Sequence, residues 1–521
     1  MPLFEKASSL ATSKLWNLLS DLYEKEAINS WQQVGVPFYL TSTPKLAYQW
    51  AQLCLEFFLE LKQKYPQYGT KEHPWIIMEI GSGAGRFAYL FLKTFESLLL
   101  ERTEGSQIFW KYLMLDISQP VVDSWKNHPQ LFSYWEKGHL ISSKFDLSSD
   151  KPLTFLNANQ TKKAFFEYPC AVLAGYLFDT LPAHAFSVEP GQTEGLGIEV
   201  SSTQMPEEKG SVEFLKNMQY SFFESEEALK QIMETASSKG YLEPLTRLMS
   251  YYEENLELGQ SWTLSTGALN CLLWVKSISP KGFLSLTGDQ GMSDIAMLKD
   301  YPRIVLGRHG SISCPVNYHG LGFILEALGE KAVLSHYGSH KFITMAAFTE
   351  EAKECVLTQE MTQRLFNEFD NVNYWQLINH ILKFPSLDLE LIELSLKIGH
   401  WDPINFFHLM PTWKILVAKA RDFQKERWRE FLNEIEENFF PIAKEEAALL
   451  NELGVCFSLL GDWPGAKKVW ERALAFHQEL APVWLNLAIA CMHEGSEDLA
   501  QTYFLKAEAL CPELTDKLPL G

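Results

Sequence analysis

Residues 75–95 read WIIMEIGSGAGRFAYLFLKTF, and the order of apolar and glycine positions in them decides the fold. Trp75 to Glu79 is the short apolar run that a buried strand needs, while Phe87, Leu90, Phe91 and Phe95 recur at helical spacing. Between them lie Gly81, Gly83 and Gly85. Glycine is the residue that turns with φ > 0 or lets backbone approach a ligand closely, so three at alternate positions suggest a turn built to touch something. The alternative is a tight strand-to-helix connection that holds nothing. A dinucleotide fingerprint, G-x-G-x-x-G, requires glycine at 86, where this chain has Arg86. The order here is E-x-G-x-G-x-G, with Glu79 at the strand end.

The rest of the composition sets bounds. At 521 residues the chain exceeds one ordinary core, and two or three domains are expected. Hydrophobic residues are 46% and aromatics 13% of the chain, the composition of a globular protein. A net charge of -20 argues against a nucleic-acid partner, because phosphate contacts need clustered Lys and Arg. The eight cysteines contain no C-x-x-C pair, so neither a zinc knuckle nor a disulfide framework is indicated, no metal is expected, and free thiols in a reducing compartment fit best. The first 27 residues mix Lys with Glu and Asp and read as an amphipathic helix, not a signal peptide. No apolar window of spanning length occurs. A cytoplasmic protein with no membrane partner is expected.

Residues 1–70 read as a helical cap, broken at 36–44, with a helix starting at Pro44 and presenting Trp50, Leu53, Phe57 and Leu61 on one face. After the helix that follows the glycine turn, and a polar insert at 101–107, a second strand is expected from Ile108 to Leu115, ending in Asp116. An acid there can accept from both ribose hydroxyls of a nucleotide; it can equally cap the next helix. A third strand, His139 to Phe145, ends in Asp146. The fourth, Cys170 to Ala174, leads into GYLFDTLPAHAF (175–186). Residues 187–258 read as an insertion, polar and then helical, with a short antiparallel excursion at 195–201. A helix from Leu264, a strand Gly282 to Thr287 and an antiparallel strand Phe342 to Phe348 complete a domain over 71–350. Strands alternating with helices and closing on a mixed strand make an α/β doubly wound sheet.

From Glu350 onward the pattern is all helix, with breaks expected at Pro385, Pro403, Pro411 and Pro441. Leu450, Leu453, Gly454, Phe457, Gly461, Ala466, Trp470 and Ala473 recur 34 residues later as Trp484, Leu487, Ala488, Cys491, Gly495, Ala500, Phe504 and Ala507. That is the tetratricopeptide period. Two repeats, 447–480 and 481–514, are expected in a helical domain over 351–521, with degenerate repeats stacked beside them.

The turn resembles motif I of class I S-adenosylmethionine-dependent methyltransferases. Further pieces are similar to the MidA-type family of these enzymes, whose members include assembly factors of mitochondrial complex I. They are Asp116-Ile117-Ser118, the run Ala174 to Pro182 with Phe178-Asp179-Thr180-Leu181-Pro182, the upstream Tyr39 to Pro44, and Thr287-Gly288-Asp289-Gln290-Gly291 in place of an Asp-Tyr-Gly turn. The resemblance covers roughly residues 35–348. It implies a Rossmann-like seven-stranded sheet, S-adenosylmethionine held by Glu79, Gly81, Gly83, Gly85 and Asp116, and Asp146 near the adenine amino group.

The family's Asn-Glu pair at the end of strand four is here Gly175 and Tyr176. A guanidinium substrate needs a carboxylate to orient it and balance its charge, which Tyr176 does not supply. Asp179 is the nearest carboxylate, as catalytic group or helix cap, and His184 as general base or structural histidine. Methyl transfer is an in-line displacement that depends on alignment. The expected function is therefore a methyltransferase acting on a protein recruited by the repeats; the alternative is a catalytically idle scaffold.

Overall fold

The computed structural model describes residues 2–32, 40–102, 108–147, 154–157, 160–163, 165–203, 212–308, 311–336, 340–368, 370–384, 386–442 and 444–515. Tyr39 of the upstream motif, most of the polar insert at 101–107, residues 204–211 of the insertion and Pro385 lie outside them. The chain divides into two compact units, residues 1–42 with 46–373, and residues 43–45 with 374–521.

The first unit opens on a strand where an all-helical cap was expected. Strand β1 (Leu3–Ala7) precedes helices α1 (Leu15–Glu26) and α2 (Asn29–Gln32). Helix α3 (Pro44–Lys64) starts at Pro44 as read, and its Trp50, Leu53, Phe57 and Leu61 are all buried. Then come β2 (Trp75–Ile80), α4 (Arg86–Arg102), β3 (Trp110–Asp116), α5 (Gln119–Lys126), β4 (Leu140–Lys144) and β5 (Cys170–Gly175). Strands β6 (His184–Glu189), β7 (Gln192–Ser201), β8 (Gln219–Glu224) and β9 (Ser261–Leu264) follow, with helices 226–239 and 242–255 before β9. Helix α6 (Thr266–Ile278), β10 (Phe283–Asp289), helix α7 (Tyr318–Ala327), β11 (Lys331–Leu334) and β12 (Ile343–Phe348) end the series.

Seven strands form one sheet in the order β11-β12-β10-β5-β2-β3-β4. β12 runs antiparallel to both neighbours, and the other pairings are parallel. The mixed seven-stranded sheet was expected; β11 had no sequence signal of its own, being four residues long. From β2 the chain winds outward through β3 and β4, then returns to the other side through β5 and β10. The reversal lies between β2 and β5, and their carboxyl ends open the crevice where such sheets place ligands. Inner positions such as Met78, Leu113, Val172 and Leu286 are fully buried, as strands covered on both faces require.

In the segment 187–258 the antiparallel excursion expected at 195–201 is strand β7, and the expected helices follow at 226–239 and 242–255; the further strands β6 and β8 were not expected. Its strands join β1 in a second sheet, ordered β1-β7-β6-β9, with β8 also on β7. The first half of β7 pairs with β6 and the second half lies between β1 and β8. Little in the sequence marks these strands: β7 interleaves Ile198 and Val200 with Gly197 and Glu199, and β9 is four residues long.

The second unit is helical. Helices 389–398, 403–417 and 422–438 precede α8 (Ala447–Leu459), α9 (Trp463–Phe476), α10 (Ala481–His493) and α11 (Glu497–Leu510). α8 and α10 begin 34 residues apart (447 and 481), as do α9 and α11 (463 and 497). Pro403 opens its helix, capped by Asp402, whose Oδ1 accepts from Ile404 N at 2.9 Å. Pro411, expected to break the chain, lies inside that helix instead. Burial of Leu409 and Trp413 on either side of it carries the helix across the missing N–H. Among the described residues no helix is long and apolar enough to cross a membrane.

Candidate cofactor and active site

The glycine turn is as tight as its sequence requires. Gly81, Gly83 and Gly85 take φ of 75°, 52° and 83°, the left-handed region that side chains resist. Gly81 N and Ser82 N both donate to Leu115 O, at 2.8 and 3.0 Å, tying the turn to the end of β3. Gly83 is the crowded position: a Cβ there would lie 3.0 Å from the ring of Trp31. The turn runs directly into α4, so its first-turn N–H groups point at whatever the turn holds and favour negative charge.

Asp116 fastens this turn. Its Oδ2 accepts from Gly83 N at 2.9 Å and its Oδ1 from Ser118 N at 3.0 Å. Trp125 of α5 donates its indole N–H to Gly83 O at 2.9 Å. Burial pushes the Asp116 carboxyl up to about 6, against the pull of these N–H donors. Glu79 is buried one turn earlier, with Oε2 lacking any partner. Burial pushes it up to about 7, opposed by Ser82 and Tyr112 and aided by the Asp116 charge. Asp146 is half-buried, next to Phe145, whose N–H donates to Asp116 O at 2.8 Å. The structure thus gathers Glu79, the three glycines and Asp116 at one strand-end cluster, with Asp146 beside it.

These shifts carry a sign. Between pH 4.5 and about 7 the folded chain holds a proton on Glu79 that the unfolded chain has released, so this contribution to stability falls as pH rises through that window. Glu79→Gln has no such proton. Between about pH 5 and about pH 8 the wild type is expected to lose about 2 °C or more of melting temperature beyond the loss of the variant, measured by thermal unfolding.

The end of β5 lies across the crevice. Gly175 passes so close to Thr41 that a Cβ on it would come within 3.3 Å of Thr41 Cβ. Tyr176 adopts φ of 50°, donates its N–H to Gly288 O at 2.9 Å and sets its ring edge-on to Phe342. Asp179 sits in a short 3-10 turn, Phe178–Thr180. It does not cap that turn: its buried side chain meets the carboxyl of Asp289 at the end of β10, and its Oδ1 lacks a partner. Asp289 in turn accepts the Tyr318 hydroxyl at 2.9 Å. Burial raises both carboxyls, Asp179 to about 7, and two such groups in contact do not both ionise. His184 belongs to the second sheet, in β6, with Nδ1 3.1 Å from Thr266 Oγ1. Burial lowers it to about 4, so it is neutral at pH 7.

Three neighbours of the site were not singled out in the sequence: Tyr23, Trp31 and Trp125. Trp125 occupies an ordinary apolar position of a short helix, and nothing in the sequence marks its indole N–H as tied to Gly83. Among the described residues no group of three or more His, Cys, Asp or Glu is placed to hold a metal. The glycine cradle, the acids at the ends of β2 and β3 and the unpartnered Glu79 oxygen fit a nucleoside-bearing cofactor.

No curated protein matches the chain. Among solved structures it is similar to an uncharacterized protein from Burkholderia thailandensis, at 10% identity and TM-score 0.38, covering 66% of this chain and 94% of the other. A second protein from the same organism, of the same superfamily as the first and bound to S-adenosyl-homocysteine, matches at 11% identity and TM-score 0.34, covering 59% and 78%. The CMeT domain of the citrinin polyketide synthase matches at 13% identity and TM-score 0.25, covering 64% and 56%. Residues 57–302, which carry the glycine turn, Asp116, Asp179 and Asp289, match the sequence model of a family described as "Putative S-adenosyl-L-methionine-dependent methyltransferase", and S-adenosylmethionine is the cofactor of that family.

Proposed function

We propose that the protein is an S-adenosylmethionine-dependent methyltransferase whose first unit binds the cofactor at the carboxyl ends of β2 and β3. The observation that carries this reading is the glycine turn pinned by Asp116 at the switch point of the sheet, inside the stretch that matches the methyltransferase family. S-adenosylmethionine supplies a methyl group activated on a sulfonium. In this reading Gly81, Gly83 and Gly85 leave room for it, Asp116 and Glu79 face its polar groups, and Asp146 stands toward the base. Tyr176 and Asp179 flank the acceptor side, and the neutral His184 is structural.

The finer reading is a MidA-type enzyme acting on a protein held by the second unit. Phe178-Asp179-Thr180-Leu181-Pro182 and Asp289 support the first part, and the 34-residue period of helix starts supports a tetratricopeptide pair that recruits a partner. Gly175 and Tyr176, which lack the family's Asn-Glu, favour the alternative of an idle methyltransferase-like scaffold. Calorimetric titration with S-adenosylmethionine, followed by transfer of labelled methyl from it into proteins of a lysate, tests both. Binding with transfer supports the enzyme, binding without transfer supports the scaffold, and absence of binding overturns the cofactor assignment.

A further inference from the structure

The glycine turn is touched by the N-terminal segment. Trp31 of α2 packs on Gly83, with the nearest ring atom 3.0 Å from where a Cβ would stand. Tyr23 of α1 stacks on Trp31, ring centroids 6.1 Å apart at 25°, and its hydroxyl bonds Ser311. Glu24, the next residue, accepts from Gln119 N at the start of α5 at 3.1 Å and pairs with Lys144 at the end of β4 at 3.0 Å. Helix α1 is therefore anchored at the end of β4 and the start of α5, and its Tyr23 backs the Trp31 ring that covers the glycine turn.

We propose that α1 and α2 form the outer wall of the cofactor site, with Tyr23 and Trp31 as the aromatic surface against which an adenosyl ligand packs. The inference rests on the cofactor reading above and adds ligand-contacting residues that lie outside the stretch 57–302 matched by the family. The physical reason is position. A ligand seated on Gly83 meets the Trp31 ring, on which Tyr23 stacks. Flat aromatic faces are the surfaces on which bases stack and over which cations sit. Without this wall the glycine turn would be open to water.

The probe is S-adenosyl-homocysteine, titrated calorimetrically into the full chain. Trp31→Ala is expected to weaken its binding by about tenfold or more, and Trp31→Phe, which keeps an aromatic face, to recover most of the loss. Because removal of Trp31 could loosen α2 alone, a second measurement stands beside it. The wild type is labelled with 5-fluorotryptophan, and the fluorine resonance absent from Trp31→Phe is followed during the titration. Movement of that resonance on saturation supports the wall. Unchanged affinity in Trp31→Ala, or a Trp31 resonance unmoved while the ligand binds, overturns it and leaves the cofactor reading standing. Failure of the wild type to bind S-adenosyl-homocysteine overturns both.

Discussion

Gly83→Arg is expected to abolish S-adenosylmethionine binding, with affinity falling by at least about a hundredfold in calorimetry. Two costs combine. The position holds φ of 52°, where an L-residue pays about 1–2 kcal/mol. Its Cβ would also press on the Trp31 ring, so the arginine must push either the ring or the turn aside. Either movement strains the Gly83 bonds to Asp116 and Trp125. Circular dichroism should show the fold retained, since the remaining bonds of the turn, to Leu115 O, are untouched. Wild-type affinity in this variant would mean that the ligand does not approach the turn.

Trp470→Ala is expected to have the largest effect on stability, about 3–5 kcal/mol on the second unit, as for other buried tryptophans. Trp470 of α9 is buried, donates its indole N–H to Asn451 O at 3.1 Å and lies against Gly454 of α8 so closely that a Cβ on Gly454 would overlap the indole. Truncation leaves a cavity between α8 and α9 and removes the indole bond to Asn451 O. The measurement is differential scanning calorimetry, in which the transition of the helical unit moves down. Gly454→Val, which crowds the same contact from the other helix, should lower the same transition; a variant that melts as the wild type does would show that the helix pair does not depend on this packing.

What was legible in the sequence is what is local. The glycine turn, Glu79 ahead of it and the start of α3 at Pro44 are each fixed within a few neighbouring residues. Asp116 read correctly as a strand-end acid, although its bond to Gly83 joins residues 33 apart, because strand-end positions in a wound sheet converge by topology. The contact of Asp179 with Asp289 spans 110 residues and gave no local sign. The second sheet was legible only as the antiparallel excursion at 195–201, for a similar reason: it draws β1 from the N-terminus and β9 from position 261, and each of the other strands alone looks like a loop with a few apolar residues. The wall at Tyr23 and Trp31 was invisible because an aromatic on an amphipathic helix is indistinguishable from a core residue until the helix is placed.

The backbone at Tyr176 separates shape from chemistry. Its φ of 50° is a conformation that costs any residue with a Cβ about the same, so the strain is set by the main chain and its bond to Gly288 O, not by the phenol. A carboxylate installed there, Tyr176→Glu, would inherit the bend without adding to it, while losing the ring contact with Phe342. Tyr176→Gly would relax it by about 1 kcal/mol. In the enzyme proposed above, this is the position where one side chain would change acceptor preference while the backbone keeps its path.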